Sequence, residues 1–377
     1  WPAKTDLLES MLYEQQGFNS GNSPATFIVP CEKVSFGTGR NGAAEWLRTA
    51  YHDMATADVA NGIGGIDASI GYEVNRDENP GIGFNETLIN LTAFLTPRSS
   101  MADLIALGAL FAANGCSNGS VEIPFRAGRV DATGPGPTGV PRPEQPLDEH
   151  ITSFQKQGFS PQEMIGLVAC GHTLGGVHGV DFPEIVPVVN DPTCQDLLER
   201  MINTVPKGVT LTEPLQPYPV KPSRLFATIN SNGTMTMTGY IRVTFASGHV
   251  MYGNPPLTFW TYPFSVEVPL AQGISSFDVE VVDNINGVIN STLHTNGGHG
   301  FPFDDTILTQ PQLSCSEVHS EGLMNLTVAI RDNSHLSSLK AIVHVPEPLL
   351  SLTPAVGSIP LDFVKAGSIT GSGYTLY

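Results

Sequence analysis

The chain has 377 residues, and 41% of them are hydrophobic, which is ordinary for a folded protein large enough to hold two cores. Acidic residues outnumber basic ones by 36 to 18, which gives a formal net charge of −18. A surface of that sign repels nucleic acid and anionic membranes, and the absence of any run of about eighteen apolar residues excludes a transmembrane helix.

Residues 1–205 carry the sequence signals of helices. The clearest is the segment 160–163, in which serine and glutamate can form a capping box and proline occupies the first helical position. Short polar side chains that can cap a first helical turn precede three more segments, at Thr5, Asn41 and Ser100. Helices are therefore predicted over residues 5–15, 43–57, 101–114, 161–170 and 194–204.

The composition changes after residue 205. Residues 206–224 contain five prolines and are predicted to form an extended linker. Residues 225–346 then show alternating runs rich in Thr, Val, Phe and Tyr, separated by Gly and Asn, which is typical of a β-sandwich. Residues 347–377 are rich in Ser, Gly and Pro and are expected to form an extended tail. The predicted fold class is α + β multidomain, a mainly α-helical domain followed by an all-β sandwich domain.

The sequence predicts a secreted, extracellular glycoprotein. The chain opens on Trp1-Pro2-Ala3-Lys4 with no signal peptide in view, which we interpret as a mature end left by processing. Five cysteines without a C-x-x-C motif fit two disulfides and one leftover thiol better than a zinc site. Six N-x-Ser/Thr sequons are candidate glycosylation sites: Asn85, Asn90, Asn118, Asn232, Asn290 and Asn325.

Two short motifs can carry chemistry. In the first, Arg48 and His52 are four residues apart, so on a helix they share one face. In the second, His172 stands at the end of a predicted helix, followed by glycines and by His178. Each motif alone also fits an ordinary structural role, an arginine above a core histidine in the first case and a histidine near a helix C-terminus in the second.

The two motifs belong to a longer series of segments in fixed order. The segments are residues 48–53, 64–69, 78–83, 102–106, 124–131, 140–143 and 171–175. In this order they resemble the haem peroxidases of plants, fungi and bacteria, over roughly residues 30–180. The resemblance implies a mainly helical fold that binds haem b and uses hydrogen peroxide to oxidise small organic reductants.

The resemblance also implies a role for each site residue. His52 matches the distal histidine, which as a neutral imidazole can act first as general base and then as general acid. Asn79 would accept a hydrogen bond from His52 and fix its tautomer, and Arg48 would stabilise negative charge on the departing oxygen. His172 would be the axial ligand of the haem iron. Two further positions match residues beside the haem, Tyr51 over the ring and His178 at a propionate.

Secreted fungal members of this family hold calcium beside the distal helix. The positions that match its ligands are Asp53, Gly65, Asp67 and Ser69, all oxygen donors that suit Ca²⁺, although Asp67 and Ser69 also fit an ordinary turn. Thr173 matches the first ligand of a second calcium site, the rest of which is not recognisable.

The family also implies a disulfide between Cys31 and Cys116. For the other cysteines we expect a bridge from Cys194 to Cys315 that joins the two halves of the chain, with Cys170 left as a reduced core thiol.

The resemblance ends soon after His172. About 35 residues separate His172 from the proline-rich segment, too few for the helices that flank the haem in this family. Asp181, Asp191 and Asp196 are candidates by position alone for the aspartate that hydrogen-bonds the axial histidine. We therefore expect an internal deletion, with a proximal haem face that is open unless the β domain covers it.

Three functions remain in competition at this point. The leading one is an extracellular haem peroxidase. The second is a haem-free, peroxidase-derived binding or structural glycoprotein whose β domain carries the function, through glycan binding or self-association. The third is a haem protein with another chemistry. Three histidines in the β region, His294, His299 and His319, fit either a metal site or an ordinary surface loop.

Overall fold

The computed structural model describes most of the chain. The described residues are 3–15, 21–28, 31, 40–117, 119–174, 192–246, 257–285, 288–316, 324–332, 338–346, 352–353 and 356–377.

The first part of the described chain is helical, as predicted. Its α-helices are α1 (Asp6–Tyr13), α2 (Gly42–Met54), α3 (Gly83–Thr92), α4 (Met101–Cys116), α5 (Leu147–Lys156), α6 (Pro161–His172) and α7 (Pro192–Asn203). Short 3-10 turns occupy Pro24–Phe27 and Ser69–Tyr72. Helix α4 is buried along nearly its whole length, and α2, α3 and α7 contribute to the same hydrophobic core. None of the helices among the described residues has the length and apolar character needed to cross a membrane.

The predicted caps explain where three of these helices begin. Asn41 accepts a hydrogen bond from Ala44 N at 2.9 Å, and Ser100 accepts one from Asp103 N at 3.1 Å. Ser160 and Glu163 form both halves of a capping box at the start of α6. Thr5 precedes α1 but makes no side-chain cap.

The second part of the chain is built of short antiparallel sheets. The long strands are β1 (Val220–Ile229), β2 (Thr234–Ala246) and β3 (Leu257–Pro269), which pair in that order. The remaining strands are β4 (Ser276–Phe277), β5 (Val279–Ile285), β6 (Val288–His294), β7 (Phe301–Pro302), β8 (Ile307–Thr309), β9 (Cys315–Ser316), β10 (Met324–Asn325), β11 (Val328–Arg331), β12 (Lys340–Pro346), β13 (Val356–Asp362), β14 (Gly367–Ile369) and β15 (Tyr374–Leu376). Four of them form a second sheet in the order β14-β15-β11-β8, and the others form two-stranded pairs.

The two larger sheets share a small core. Ala227 and Met235 come from the three-stranded sheet, whereas Leu308, Ala329 and Tyr374 come from the four-stranded sheet, and all five are buried together. A second buried cluster contains Val220 and Val243 of the three-stranded sheet together with Phe301 of β7. The region therefore consists of small antiparallel sheets that pack on one another, as expected for an all-β region.

The proline-rich segment does not act as a free linker. It runs along the helical domain, where Thr212 N donates to Ala127 O and Leu215 N donates to Phe125 O, both at 2.8 Å. Strand β1 then begins at Val220, inside the range expected to be a linker. Prolines account for the extended backbone of this segment, but its docking depends on neighbours that are distant in sequence.

The expectation of an extended tail over residues 347–377 was also wrong. Strand β13 pairs with β12, and β15 pairs with β11, so this segment supplies strands to the β region. Leu352 reaches back to the helical core, and its carbonyl oxygen lies so close to Gly71 that a Cβ there would be only 2.3 Å away.

A cluster of buried charges joins α1 to the first two strands. Glu9 is 1% exposed and lies 2.7 Å from the ammonium group of Lys221 on β1, which is 3% exposed. Arg242 on β2 forms ion pairs with both Glu9 and Glu14. Since these four side chains come from both parts of the chain, the helical domain and the β region share one buried electrostatic contact.

The disulfides agree with one expectation and contradict the other. Cys31 is bonded to Cys116, the pair implied by the family. Cys194, however, is bonded to Cys170 and not to Cys315, which is free and exposed on β9. The reason is packing: α7 lies against α6, which places Cys194 beside the last turn of α6.

The sequons differ in exposure. Asn232, Asn290 and Asn325 are exposed, and Asn85 is half-buried on α3. Asn90, on the same helix, is buried, with 7% of its surface exposed. Asn118 lies outside the described residues.

Candidate active site

Helix α2 presents Arg48 and His52 one turn apart. Its other face is apolar and buries Trp46, Leu47 and Ala50 in the helical core, which fixes the rotation of the helix. Arg48 and His52 are half-buried at the margin of that core.

A chain of hydrogen bonds fixes the orientation of His52. Its Nδ1 lies 2.8 Å from Oδ1 of Asn79, while Nδ2 of Asn79 donates to the backbone carbonyl of Glu73 at 3.0 Å. Because the amide nitrogen is used by Glu73, the oxygen faces His52 and must accept. His52 therefore carries its proton on Nδ1, and its Nε2 offers a lone pair with no hydrogen-bond partner among the described residues.

The surroundings of His52 keep it neutral. Its ring lies 4.7 Å, centroid to centroid, from the ring of Phe84. Burial lowers the pKa of His52 to about 4, and the nearby charge of Arg48 adds to this effect, whereas the hydrogen bond to Asn79 opposes it. At neutral pH the imidazole is thus a base and not a cation.

Arg48 is held in place by two contacts. One Nη donates to the carbonyl of Pro80 at 2.9 Å, and the guanidinium carbon lies 4.4 Å above the centre of the Phe84 ring. The guanidinium is therefore fixed beside His52 as a positive charge that needs little reorganisation.

His172 ends α6 and is exposed. Partial burial lowers its pKa, and the positive charge of Arg48 lowers it further. Arg48 belongs to α2, and α2 and α6 are in contact, so the expected axial ligand and the distal residues lie on neighbouring helices.

Tyr51 packs against the protein core. Its ring is stacked on that of Phe154 with centroids 6.0 Å apart, and it meets the ring of His52 edge-on. Desolvation raises the pKa of the Tyr51 phenol. These contacts define a structural role for Tyr51 beside the site.

The expected calcium ligands lie at the end of α2 (Asp53) and on the turn that is hydrogen-bonded to it (Gly65, Asp67 and Ser69). The carboxylate of Asp53 accepts hydrogen bonds from the backbone N–H groups of Asp67, Ala68 and Ile70 at 2.8 to 3.0 Å. Asp67 in turn accepts from Ser69 N at 3.1 Å. Burial raises the pKa of Asp53, and repulsion from Asp67 raises it further. The described residues include no group of three or more His, Cys, Asp or Glu side chains that could hold a metal ion.

Gly65 closes the start of this turn against α7. Its φ of +122° is in the region that favours glycine, and a Cβ there would lie 2.5 Å from the carbonyl oxygen of Thr204. The next residue, Ile66, donates its N–H to the same carbonyl at 2.8 Å.

Several other candidates are not brought into the site. The hydroxyl of Thr173 donates to Cys170 O at 2.8 Å. Asp196 is exposed on α7 and pairs with Arg200, so it does not contact His172. In the β region, His294 and His299 belong to no metal-binding group within the described residues. The candidates His178, Asp181, Asp191 and His319 lie outside the described residues.

The sequence reasoning missed two residues that organise the site. Glu73 is 1% exposed, and its carbonyl oxygen orients Asn79, while its carboxylate accepts from Gly136 N at 2.6 Å. Phe84 contacts both Arg48 and His52. Phe84 immediately follows the recognised segment 78–83, and this adjacency was the available signal.

The sequence is similar to a known protein family and to individual known proteins. Residues 33–214 match the family model described as peroxidase. A WSC domain-containing protein of Arthroderma benhamiae is 32% identical over an alignment that covers 100% of this chain and 62% of that protein. That alignment runs over 478 residues, so the relative holds residues with no counterpart here.

Shorter matches fall on proteins named as peroxidases. L-ascorbate peroxidase 5, peroxisomal, of Arabidopsis thaliana is 33% identical over 37% of this chain and 50% of its own length. Cytochrome c peroxidase, mitochondrial, of Yarrowia lipolytica is 29% identical over 35% of this chain and 40% of its own length. The chain thus spans less than two thirds of each of these relatives.

Proposed function

Because residues 33–214 form a domain of the peroxidase family, we propose that this domain binds haem b between α2 and α6 and reduces hydrogen peroxide with electrons from small organic donors. The observation that carries the proposal is the hydrogen bond from His52 Nδ1 to Asn79, which leaves a neutral Nε2 beside a fixed guanidinium.

The residues present fit haem. His52 and Arg48 lie on one face of α2, and His172 stands at the end of α6, which is in contact with α2. A histidine imidazole is a common axial ligand of haem iron. Bound haem would supply the iron that coordinates peroxide and the electrons that cleavage of the O–O bond consumes.

The protein residues would handle the protons and the charge. Nε2 of His52 accepts the proton of the bound peroxide oxygen and then delivers it to the departing oxygen, which leaves as water. Asn79 keeps Nδ1 protonated throughout, so the ring does not rotate or change tautomer. Arg48 stabilises the negative charge that develops on the departing oxygen.

This assignment predicts a pH dependence. His52 can accept a proton only when it is neutral, and its pKa is lowered to about 4. The rate constant of the haem-loaded protein with hydrogen peroxide should rise with pH through about 4 and stay constant between about pH 5 and 8. Stopped-flow absorption across that range checks it, and a transition centred near the ordinary histidine value of about 6.5 would contradict it.

We also propose calcium at the turn that carries Asp67 and Ser69. The carboxylates of Asp53 and Asp67 repel one another, so a bound cation would relieve their repulsion. The hydrogen bonds that Asp53 accepts from the backbone already hold the turn in place without a cation. Calcium added to protein that has been freed of divalent cations with a chelator should raise the melting temperature. Asp67→Asn should abolish this increase in melting temperature. Titration calorimetry that shows no calcium binding to wild-type protein would refute this part.

We also propose that the protein is secreted and glycosylated. The support is the pair of disulfides together with the exposed sequons at Asn232, Asn290 and Asn325. Mass spectrometry of the natural protein before and after enzymatic deglycosylation tests it, and unmodified peptides at all three positions would contradict it.

The main experiment is a haem titration. Apoprotein mixed with haemin should give a Soret band that saturates at one haem per chain, and His172→Ala should shift or abolish that band. A chain that takes up no haem would support the haem-free alternative.

A further inference from the structure

Helix α6 has one supported face and one open face. Met164, Leu167 and Cys170 are buried, whereas Ile165 is 60% exposed and Val168 is 39% exposed. His172 ends the helix and is also exposed. The expected axial ligand therefore stands at the last turn of this helix, and last turns fray readily.

Helix α7 supplies that support along the whole length of α6. At the first turn, Arg200 pairs with Glu163 and donates to Gly158 O. In the middle, Gly166 lets Leu197 approach so closely that a Cβ at this position would lie 2.8 Å from its side chain.

At the last turn the contact becomes covalent. Cys170 and Cys194 form a disulfide, both are buried, and Cys170 precedes His172 by two residues. The hydroxyl of Thr173 also donates to Cys170 O, so the residue that follows His172 is tied to the same cysteine.

We infer that the Cys170–Cys194 disulfide is a positioning device that holds His172 in register with the haem and takes over the support that a longer proximal half would give. The inference rests on the proposed function. The disulfide anchors the turn of α6 that carries His172, and the Arg200 and Leu197 contacts keep the rest of α6 in place. Its loss should therefore disturb the axial ligand more than the fold.

The test compares two variants that each lack one disulfide. Cys170→Ala/Cys194→Ala removes the proposed device, and Cys31→Ala/Cys116→Ala removes a bond of the same domain that ends far from α6 in sequence. Each variant keeps the other disulfide, and in each Cys315 is the only free thiol among the described residues. Haem loss is followed by transfer to excess apomyoglobin.

We expect haem to leave the Cys170/Cys194 variant about 10- to 100-fold faster than the wild type, as for other losses of support to a metal ligand. The Cys31/Cys116 variant should lose haem at close to the wild-type rate. Amide hydrogen exchange of the haem-free proteins should show faster exchange at residues 170–173 only in the first variant, with residues 163–166 unchanged.

The outcomes separate the two proposals. Wild-type protein that binds no haem overturns both the function and this role of the disulfide. Wild-type protein that binds haem, with equal rates of haem loss in both variants, overturns the positioning role alone. If the double alanine variant does not fold, Cys170→Val/Cys194→Ala removes the same bond while filling more of the buried space, and an unchanged rate of haem loss in that variant overturns the inference.

Discussion

Replacing His52 by leucine is expected to lower the rate constant for the reaction with hydrogen peroxide by about 10²- to 10⁴-fold, the usual contribution of a general acid–base residue. Leucine fills a similar space beside Phe84 but has no lone pair to accept the peroxide proton. Haem binding should not change, because His172 is untouched. Stopped-flow absorption of the haem-loaded variant measures the rate constant.

His344→Leu is the matched control for this substitution. His344 lies exposed on β12, and its ring is hydrogen-bonded to Ser358, in the β region. The control should keep the wild-type rate constant within about twofold, as expected of a surface residue outside the site. If His52→Leu and His344→Leu react equally fast with peroxide, His52 is not the base.

Replacing Glu9 by alanine is expected to lower the free energy of unfolding by about 3–5 kcal/mol, since it leaves two buried cations with Glu14 as the remaining carboxylate of the cluster. Lys221 and Arg242 are each 3% exposed and both pair with Glu9, so water cannot replace the lost carboxylate. Because the cluster joins α1 to β1 and β2, both parts of the chain should be affected. Urea unfolding followed by tryptophan fluorescence and circular dichroism measures the change.

An exposed ion pair in the β region provides the comparison. Lys340 and Asp362 are 3.6 Å apart, and their side chains are 48% and 78% exposed. Asp362→Asn should cost less than about 1 kcal/mol, because solvent screens such pairs. A Glu9→Ala variant as stable as Asp362→Asn would show that the buried cluster does not stabilise the junction.

The parts of the site that are local in sequence could be predicted. Arg48 and His52 share a face because helical periodicity places residues four apart together, and the cap at Ser160 marks the start of α6. Asn79 is 27 residues from His52. The resemblance to a family located it, since no local pattern links the two.

The wrong predictions concern tertiary packing. Cys170 pairs with Cys194 because α7 packs on α6, and spacing along the chain holds no trace of that contact. Glu9 likewise resembles a surface residue of a short helix until Lys221 and Arg242 are brought to it from the β region.

The central claim is that the distal residues His52, Arg48 and Asn79 act on hydrogen peroxide bound to a haem that is held by His172. The most direct test is stopped-flow mixing of the haem-loaded protein with hydrogen peroxide while the Soret band is recorded. We predict a rapid change of the band whose rate grows linearly with peroxide concentration and which reverses when an organic donor is added. A protein that binds haem through His172 but shows no change of the band with peroxide would contradict the proposed function.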